Sequence, residues 1–307
     1  MEKKNWPLVS IVTVNYNQTD TTLDLIDSLL KITYPNIELL VVDNNSPEAD
    51  AARIRQKYPR VVLVQSPINY GFAAGNNLGI MRARGKYVMV LNNDVIVTPR
   101  FLEPLVELCE GNPGIGAASP KIRFYYEPRV IQYAGFSPIH PITMRNKAIG
   151  WQEIDVGQHD HEGPTGFCHG AAMIVPMRVI HEVGLMSYSF FLYYEEADWC
   201  ERIKKAGYEL WYTHRSVVYH KESVSTGKES PLKAYYLTRN RIIYLRRNTS
   251  GLHLFLGVMY QILVAIPRNA LKYILKGKFS FVAAFIKGIT WHLIHLNDTS
   301  IFENPRL

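Results

Sequence analysis

The chain has 307 residues, 47% of them apolar and 20% charged, enough for one large domain, or a domain with an appendage, around a real core. Cys109, Cys168 and Cys200 show no CxxC spacing, which argues against a zinc site or a disulfide framework and suits a reducing compartment. The net charge of +7 lies at one end: residues 1–220 carry 21 Lys and Arg against 23 Asp and Glu, residues 221–307 carry 13 against 4, so the tail suits an anionic partner.

The start is polar and lacks a signal-peptide pattern, so the expected location is cytoplasmic. Residues 8–14 form an apolar, β-branched run that predicts a buried strand. Thr19 or Asp20 is placed to cap a helix reaching about Lys31, with Leu23, Ile26, Leu29 and Leu30 on one face. Residues 37–42 predict a second strand, stopped by Asp43-Asn44-Asn45-Ser46. A helix at 51–57 and a strand at 61–65 follow. A short helix is expected at 76–83, ended by Gly85, then a fourth strand at 87–91. Thr98-Pro99 is placed to open the next helix. This alternation predicts an α/β fold with a mostly parallel sheet covered by helices on both faces, binding ligands beyond the carboxyl ends of its strands. The polar clusters at Asn15-Tyr16-Asn17, at Asp43 and at Asn92-Asn93-Asp94 fall at those ends.

Residues 121–165 read as loops and short strands. Strands are expected at 170–175, 209–212 and 217–220, and a helix at 195–206. From Pro231 to about Leu296 the pattern is helical. Residues 231–247 are aromatic and basic. Residues 252–266 hold only His253 and Gln261 as polar groups and end at Pro267-Arg268. That run is short of the roughly 20 residues of a spanning helix. With Lys272, Lys276, Lys278 and Lys287 beyond it, the tail fits helices lying in a membrane interface, or a basic helical pair packed on the rest of the chain. No nucleic-acid module accompanies the arginines, so no nucleic-acid partner is expected.

Asp94 follows a strand directly. A carboxylate there can hold Mg²⁺ or Mn²⁺ against a diphosphate, and it equally suits a strand-end turn. Asp43 has the same two readings, a contact to a base or ribose or a plain turn. Asn69 to Gly79 carries three glycines ahead of a helix and allows close approach of a phosphate, without Walker or dinucleotide spacing. Phe190 to Trp199 places Glu195, Glu196 and Asp198 beside aromatics. A glutamate in an apolar cleft serves as a general base; an acidic first helical turn is the plainer alternative. His220 ends a strand and gains a role only beside a metal site.

Taken together, residues 7–247 resemble the family 2 glycosyltransferases, particularly their rhamnosyltransferase-like bacterial branch. The resemblance rests on residues 11–17, 41–46, 69–79, 91–94, 170–173 and 194–199, whose order and spacing carry it. It implies a GT-A (Rossmann-like) fold over residues 1–230, with a nucleotide-sugar-binding half at 1–120, an acceptor half at 121–230 and a helical extension at 231–307. It implies that Val14, Tyr16 and Asp43 hold the nucleoside, with Asn76 where many relatives carry an arginine. Asn93-Asp94 match the DXD element, with Asp94 as main metal ligand and His220 joining the metal or diphosphate. Glu196 matches the catalytic base, and Glu195 competes with it. Trp199 and Tyr194 are placed to stack on an acceptor sugar, or to fill the core. The implied activity is inverting transfer from a UDP- or dTDP-sugar to a glycan or lipid-linked acceptor at the cytoplasmic membrane face, for cell-surface polysaccharide. The rival reading is a catalytically silent sugar-binding or membrane-tethered partner of a glycan assembly complex.

Overall fold

The computed structural model describes residues 5–46, 51–222 and 230–307. Its first part alternates as expected: β1 (Val9–Asn15), α1 (Thr19–Leu29), β2 (Ile37–Asp43), α2 (Ala51–Lys57), β3 (Val62–Gln65), α3 (Gly71–Ile80), β4 (Tyr87–Leu91), β5 (Val95–Val97) and α4 (Leu102–Gly111). Then come β6 (Ile115–Phe124), β7 (Ile131–Tyr133), β8 (Glu162–Pro164), β9 (Ala172–Pro176), α5 (Met177–Val183), α6 (Glu195–Lys205) and β10 (Glu209–His220). The sheet runs β3-β2-β1-β4-β9-β6-β10-β5, with β7 beside β6 and β8 beside β10. Along that path only β9 and β5 run against the rest. The carboxyl ends of β1, β2, β4 and β10 therefore share one edge.

Several local expectations shift, each for a physical reason. Gln18, not Thr19 or Asp20, precedes α1, and no side chain caps that helix. Thr98 does not open α4, which starts at Leu102; its hydroxyl donates instead to the Val217 carbonyl and pins the turn to β10. β6 is a ten-residue strand that runs into the stretch from residue 121 read as loops and short strands. Its Pro120 lies opposite the irregularity between Thr213 and Val217 that makes one strand, β10, read as two.

The glycine-rich segment is mostly helix. α3 begins at Gly71, whose φ of +78° turns the chain, and runs against the sheet rather than forming a loop. A Cβ on Gly75 would lie 3.2 Å from Val14, and one on Gly79 only 2.4 Å from Val12 Cγ1. The glycines thus bring a helix onto β1, where a phosphate-cradling loop would have used them differently.

The tail forms α7 (Pro231–Asn248), α8 (Gly251–Tyr260), a π-helical turn (Gln261–Ala265), α9 (Ile266–Leu275) and α10 (Phe279–Ile294). Gly288 of α10 sits against α7, where a Cβ would come 3.0 Å from the Tyr235 carbonyl. The helix does not stop at Pro267-Arg268. Pro267 falls in the first turn of α9, just after the π-helical turn, where a missing N–H is tolerated. Gly251–Leu275 is a continuous 25-residue helix, long and apolar enough by length and composition to cross a membrane, and it is mostly exposed. Gly79→Ala is expected to cost about 1–3 kcal/mol by overpacking α3 against Val12; an unchanged urea midpoint would show that α3 can back away freely.

Candidate active site

The residues at the shared sheet edge form a connected polar floor. Asn15 Nδ2 donates to Asp43 Oδ1 (3.0 Å), Thr22 Oγ1 donates to Asn15 Oδ1 (2.9 Å), and Asn93 Nδ2 donates to Thr22 Oγ1 (3.0 Å). Ser46 adds a further donor to Asp43 at 2.6 Å. This chain locks the ends of β2, β1 and β4 together. Tyr16 stands exposed at its rim, and Val14 lies half-buried below.

Asp94 and His220 meet because β5, which follows Asp94, pairs antiparallel with the end of β10, Val95 opposite His220. Asp94 Oδ1 lies 3.0 Å from His220 Nε2, yet the two are misaligned, and neither atom has a hydrogen-bond partner. Gln132 Oε1 lies 2.8 Å from His220 Nδ1 and fixes the ring with Nε2 facing Asp94. Burial opposes the Asp94 charge, but His220 and Lys221 outweigh it and hold the carboxyl below its usual range. His169 stands edge-on to His220, and burial pushes its imidazole down to about 3, so it stays neutral.

The start of α6 joins this edge through Gly170, next to Ala171, whose carbonyl accepts from Asn92 N at 2.9 Å. Burial, and then the charge of Glu196, push Glu195 well above the usual carboxylate range, and burial raises Glu196. One oxygen of each, Oε2, is buried without a partner. Gly170 leaves room there, since a Cβ on it would stand 3.4 Å from Glu196 Cγ. The chain enters α6 through Tyr193 and Tyr194, both left-handed with φ near +72° and +75°. That conformation is costly for bulky residues, so something must hold it. Asn240 of α7, fully buried, does so by donating to the Leu192 (2.7 Å) and Tyr193 (2.8 Å) carbonyls.

Other expected residues fall elsewhere. Trp199 is fully buried and donates its indole N–H to the Gly184 carbonyl, so it is core and offers no stacking face. Asn76 is 1% exposed and turned to its own helix, donating to the Phe72 carbonyl. Asp198 belongs to a buried ion pair with Arg247. Tyr194 stays partly exposed, its hydroxyl accepting from Arg241 Nε at 3.0 Å. Gln132 and Asn240 carry no local sequence signal; each matters only through a partner 88 or 47 residues away.

Residues 10–174 match the profile of the glycosyl transferase family 2. The chain belongs to glycosyl transferase family 2. An uncharacterized protein of Sinorhizobium fredii is 27% identical to this family member over 281 residues, 86% of the present chain; the chain spans only 30% of that protein's length. An N-acetylglucosaminyl-diphospho-decaprenol L-rhamnosyltransferase of Mycobacterium tuberculosis is 25% identical, covering 80% of this chain and 86% of its own, which agrees with the rhamnosyltransferase-like branch. Among solved structures, GalNAc-T7 with UDP, GalNAc and Mn²⁺ superposes with a TM-score of 0.64 at 16% identity, over 80% of this chain and 49% of that one. The fold is therefore GT-A, a mixed α/β sheet whose strands mostly run one way.

Asn240→Leu is expected to lower stability by about 1–3 kcal/mol by leaving two carbonyls unpaired. Calorimetric melting checks it; an unchanged Tm would mean the left-handed turn holds itself.

Proposed function

We propose that this family 2 member is an inverting, metal-dependent glycosyltransferase that moves a sugar from a UDP- or dTDP-linked donor to a glycan or lipid-linked acceptor. The observation that carries this reading is that two unlike acidic sites gather at one sheet edge: Asp94 beside His220, and Glu196 against Gly170, next to Ala171, whose carbonyl accepts from Asn92 N. Residues 1–230 would form the catalytic domain and 231–307 its helical extension.

In this reading Val14, Tyr16, Asp43 and Asn93 line the nucleoside and diphosphate. Asp94 Oδ1 and His220 Nε2, an unpartnered oxygen and nitrogen 3.0 Å apart, fit Mn²⁺ or Mg²⁺ as ligands. Among the described residues no third His, Cys, Asp or Glu joins them, so donor phosphate oxygens would complete the coordination. A divalent ion supplies charge stabilisation to a departing nucleoside diphosphate. Glu196 takes the proton from the acceptor hydroxyl as that oxygen bonds the anomeric carbon and the diphosphate leaves from the opposite face. A single displacement inverts the configuration. Glu195, raised by burial and by the charge of Glu196, stands beside it and competes for the same role.

The exposed apolar residues of α8 to α10, among them Phe255, Leu263, Ile274 and Phe279, stand with Lys272, Lys276 and Lys278 and support docking on an anionic membrane at its cytoplasmic face. Truncation is a poor probe of this. The end of the chain returns to the catalytic part, where the Pro305 carbonyl accepts from Leu185 N at 2.7 Å and the Glu303 carbonyl from Ser187 Oγ at 3.2 Å. The double variant Leu263→Asp, Ile274→Asp should lose co-sedimentation with phosphatidylglycerol vesicles while keeping its Tm; equal co-sedimentation would leave these helices without a membrane role.

Calorimetric titration with UDP and dTDP, in Mn²⁺ and in EDTA, tests the donor site. Binding of one nucleotide should require Mn²⁺ and disappear in Asp94→Ala. Glu196→Gln should keep that binding within a few fold and abolish transfer, and the wild-type rate should rise from acid pH through a value above the usual 4.5 of a glutamate. Metal-independent binding or normal turnover of Glu196→Gln would defeat the reading, and a folded protein that binds neither nucleotide would favour a silent partner.

A further inference from the structure

α7 carries four arginines, and three of them reach partners outside the cleft described below. Arg239 donates to the Ser189 carbonyl and to Asn240 and lies over Trp291, with its Nε buried and unpartnered. Arg246 donates to the His295 and Leu296 carbonyls. Arg247 pairs with Asp198. Arg241 differs. It lines the helical layer, and its Nε donates to the Tyr194 hydroxyl. Its other neighbours are the phenols of Tyr260 and Tyr273, with no carboxylate beside it among the described residues. A guanidinium cannot shed its proton, and an enclosed cation without a counter-ion is costly.

A second group shares this place. Gln261, at the start of the π-helical turn, is 5% exposed, and its Nε2 has no partner. In an otherwise apolar helix this amide is turned inward. Arg241, Gln261, Thr238 and Asn269 line one small cleft between α7, the π-helical turn, α9 and α10. Its volume is about 10 Å³, room for one oxygen-sized group. The Thr238 hydroxyl is already committed to the Ala234 carbonyl. Arg241 and the unpartnered Gln261 Nε2 thus bring N–H donors to the cleft, beside the Asn269 amide, which suits an oxyanion. The π-helical turn is the local distortion that widens the helix there.

We propose that Arg241 and Gln261 bind a phosphate oxygen of a lipid-linked diphosphate acceptor. The inference rests on the acceptor class given above and adds its anchoring site. The location suits that role: the helix bearing Gln261 is the exposed apolar one, and Arg241 reaches the start of α6, with Glu195 and Glu196, through a single tyrosine. The acceptor's diphosphate is held by α7 while its lipid follows the apolar helices and its sugar faces Glu196. An acceptor lacking the diphosphate loses this anchor.

The test uses the full chain and farnesyl diphosphate as probe, titrated in EDTA so that the Asp94–His220 site takes no part, with inorganic pyrophosphate and phosphatidylglycerol vesicles as parallel arms. Farnesyl diphosphate should bind the wild type, and Arg241→Met and Gln261→Leu should each weaken it by about tenfold or more, as for a hydrogen bond to a charged group. Gln261→Leu fills the same space without a buried unpaired donor, so it should fold at least as well, and its loss of binding cannot be assigned to unfolding. Farnesyl diphosphate bound much more tightly than pyrophosphate assigns the site to lipid-linked diphosphate; equal affinities, with the same dependence on both residues, overturn the lipid assignment in favour of free diphosphate. Affinities within twofold of wild type in both variants, or an effect confined to the vesicles, overturn the proposal. The donor reading is judged separately: if UDP and dTDP fail to bind in Mn²⁺ while farnesyl diphosphate binds, that reading falls and the anion site stands.

Discussion

The buried pairing of Asp198 with Arg247 joins the helix that carries the two glutamates to the helices of the tail, and the geometry of the site hangs on it. Asp198 is fully enclosed, yet its oxygens accept from Arg247 Nε (2.8 Å) and Nη2 (3.0 Å), from Arg202 Nε (3.2 Å) and from Asn248 Nδ2 (2.9 Å). Burial alone would raise its pKa; Arg247 and Arg202 reverse that and hold it below the usual range. A carboxyl depressed in this way contributes stability above its unfolded pKa, and the contribution is lost as pH falls through the lower folded value. Breaking such a pair from one side strands a buried charge, which is worse than never having buried it.

From this fixed point the acidic residues diverge by environment. Glu195 and Glu196 sit three and two residues before Asp198, yet among the described residues no arginine pairs with them and burial drives both upward. Asp94, also buried, is pulled down by His220 and Lys221. In the proposed mechanism, environments that push like groups apart in this way would divide proton uptake from charge holding. The backbone contributes as well, since α6 begins from two strained tyrosines whose carbonyl side is gripped by α7.

The tail is thus a working part of the site. α7 supplies Asn240 to the turn before α6, Arg247 to Asp198 and Arg241 to Tyr194. Beyond it, α8 to α10 expose apolar and basic side chains on the surface away from that contact. One layer of helices therefore faces the chemistry on one side and a candidate lipid surface on the other.

The sequence by itself determined the βαβ order, the bounds of α2 and β4, and the polar clusters at the strand ends, because alternation of apolar runs and turn residues is local information. The family motifs placed Asp94, Glu196 and His220 for the same reason. Only the tertiary structure decided that Trp199 is core, that Asn76 faces its own helix, and that Gln132 and Asn240 orient the functional groups. It also decided β6, where Pro120 and Lys121 look unlike a buried strand until the bulge in β10 receives the proline and Asp155 and Asp160, 34 and 39 residues on, neutralise the lysine. Burial and pairing across such separations are properties of the packed chain, and no window of sequence contains both partners.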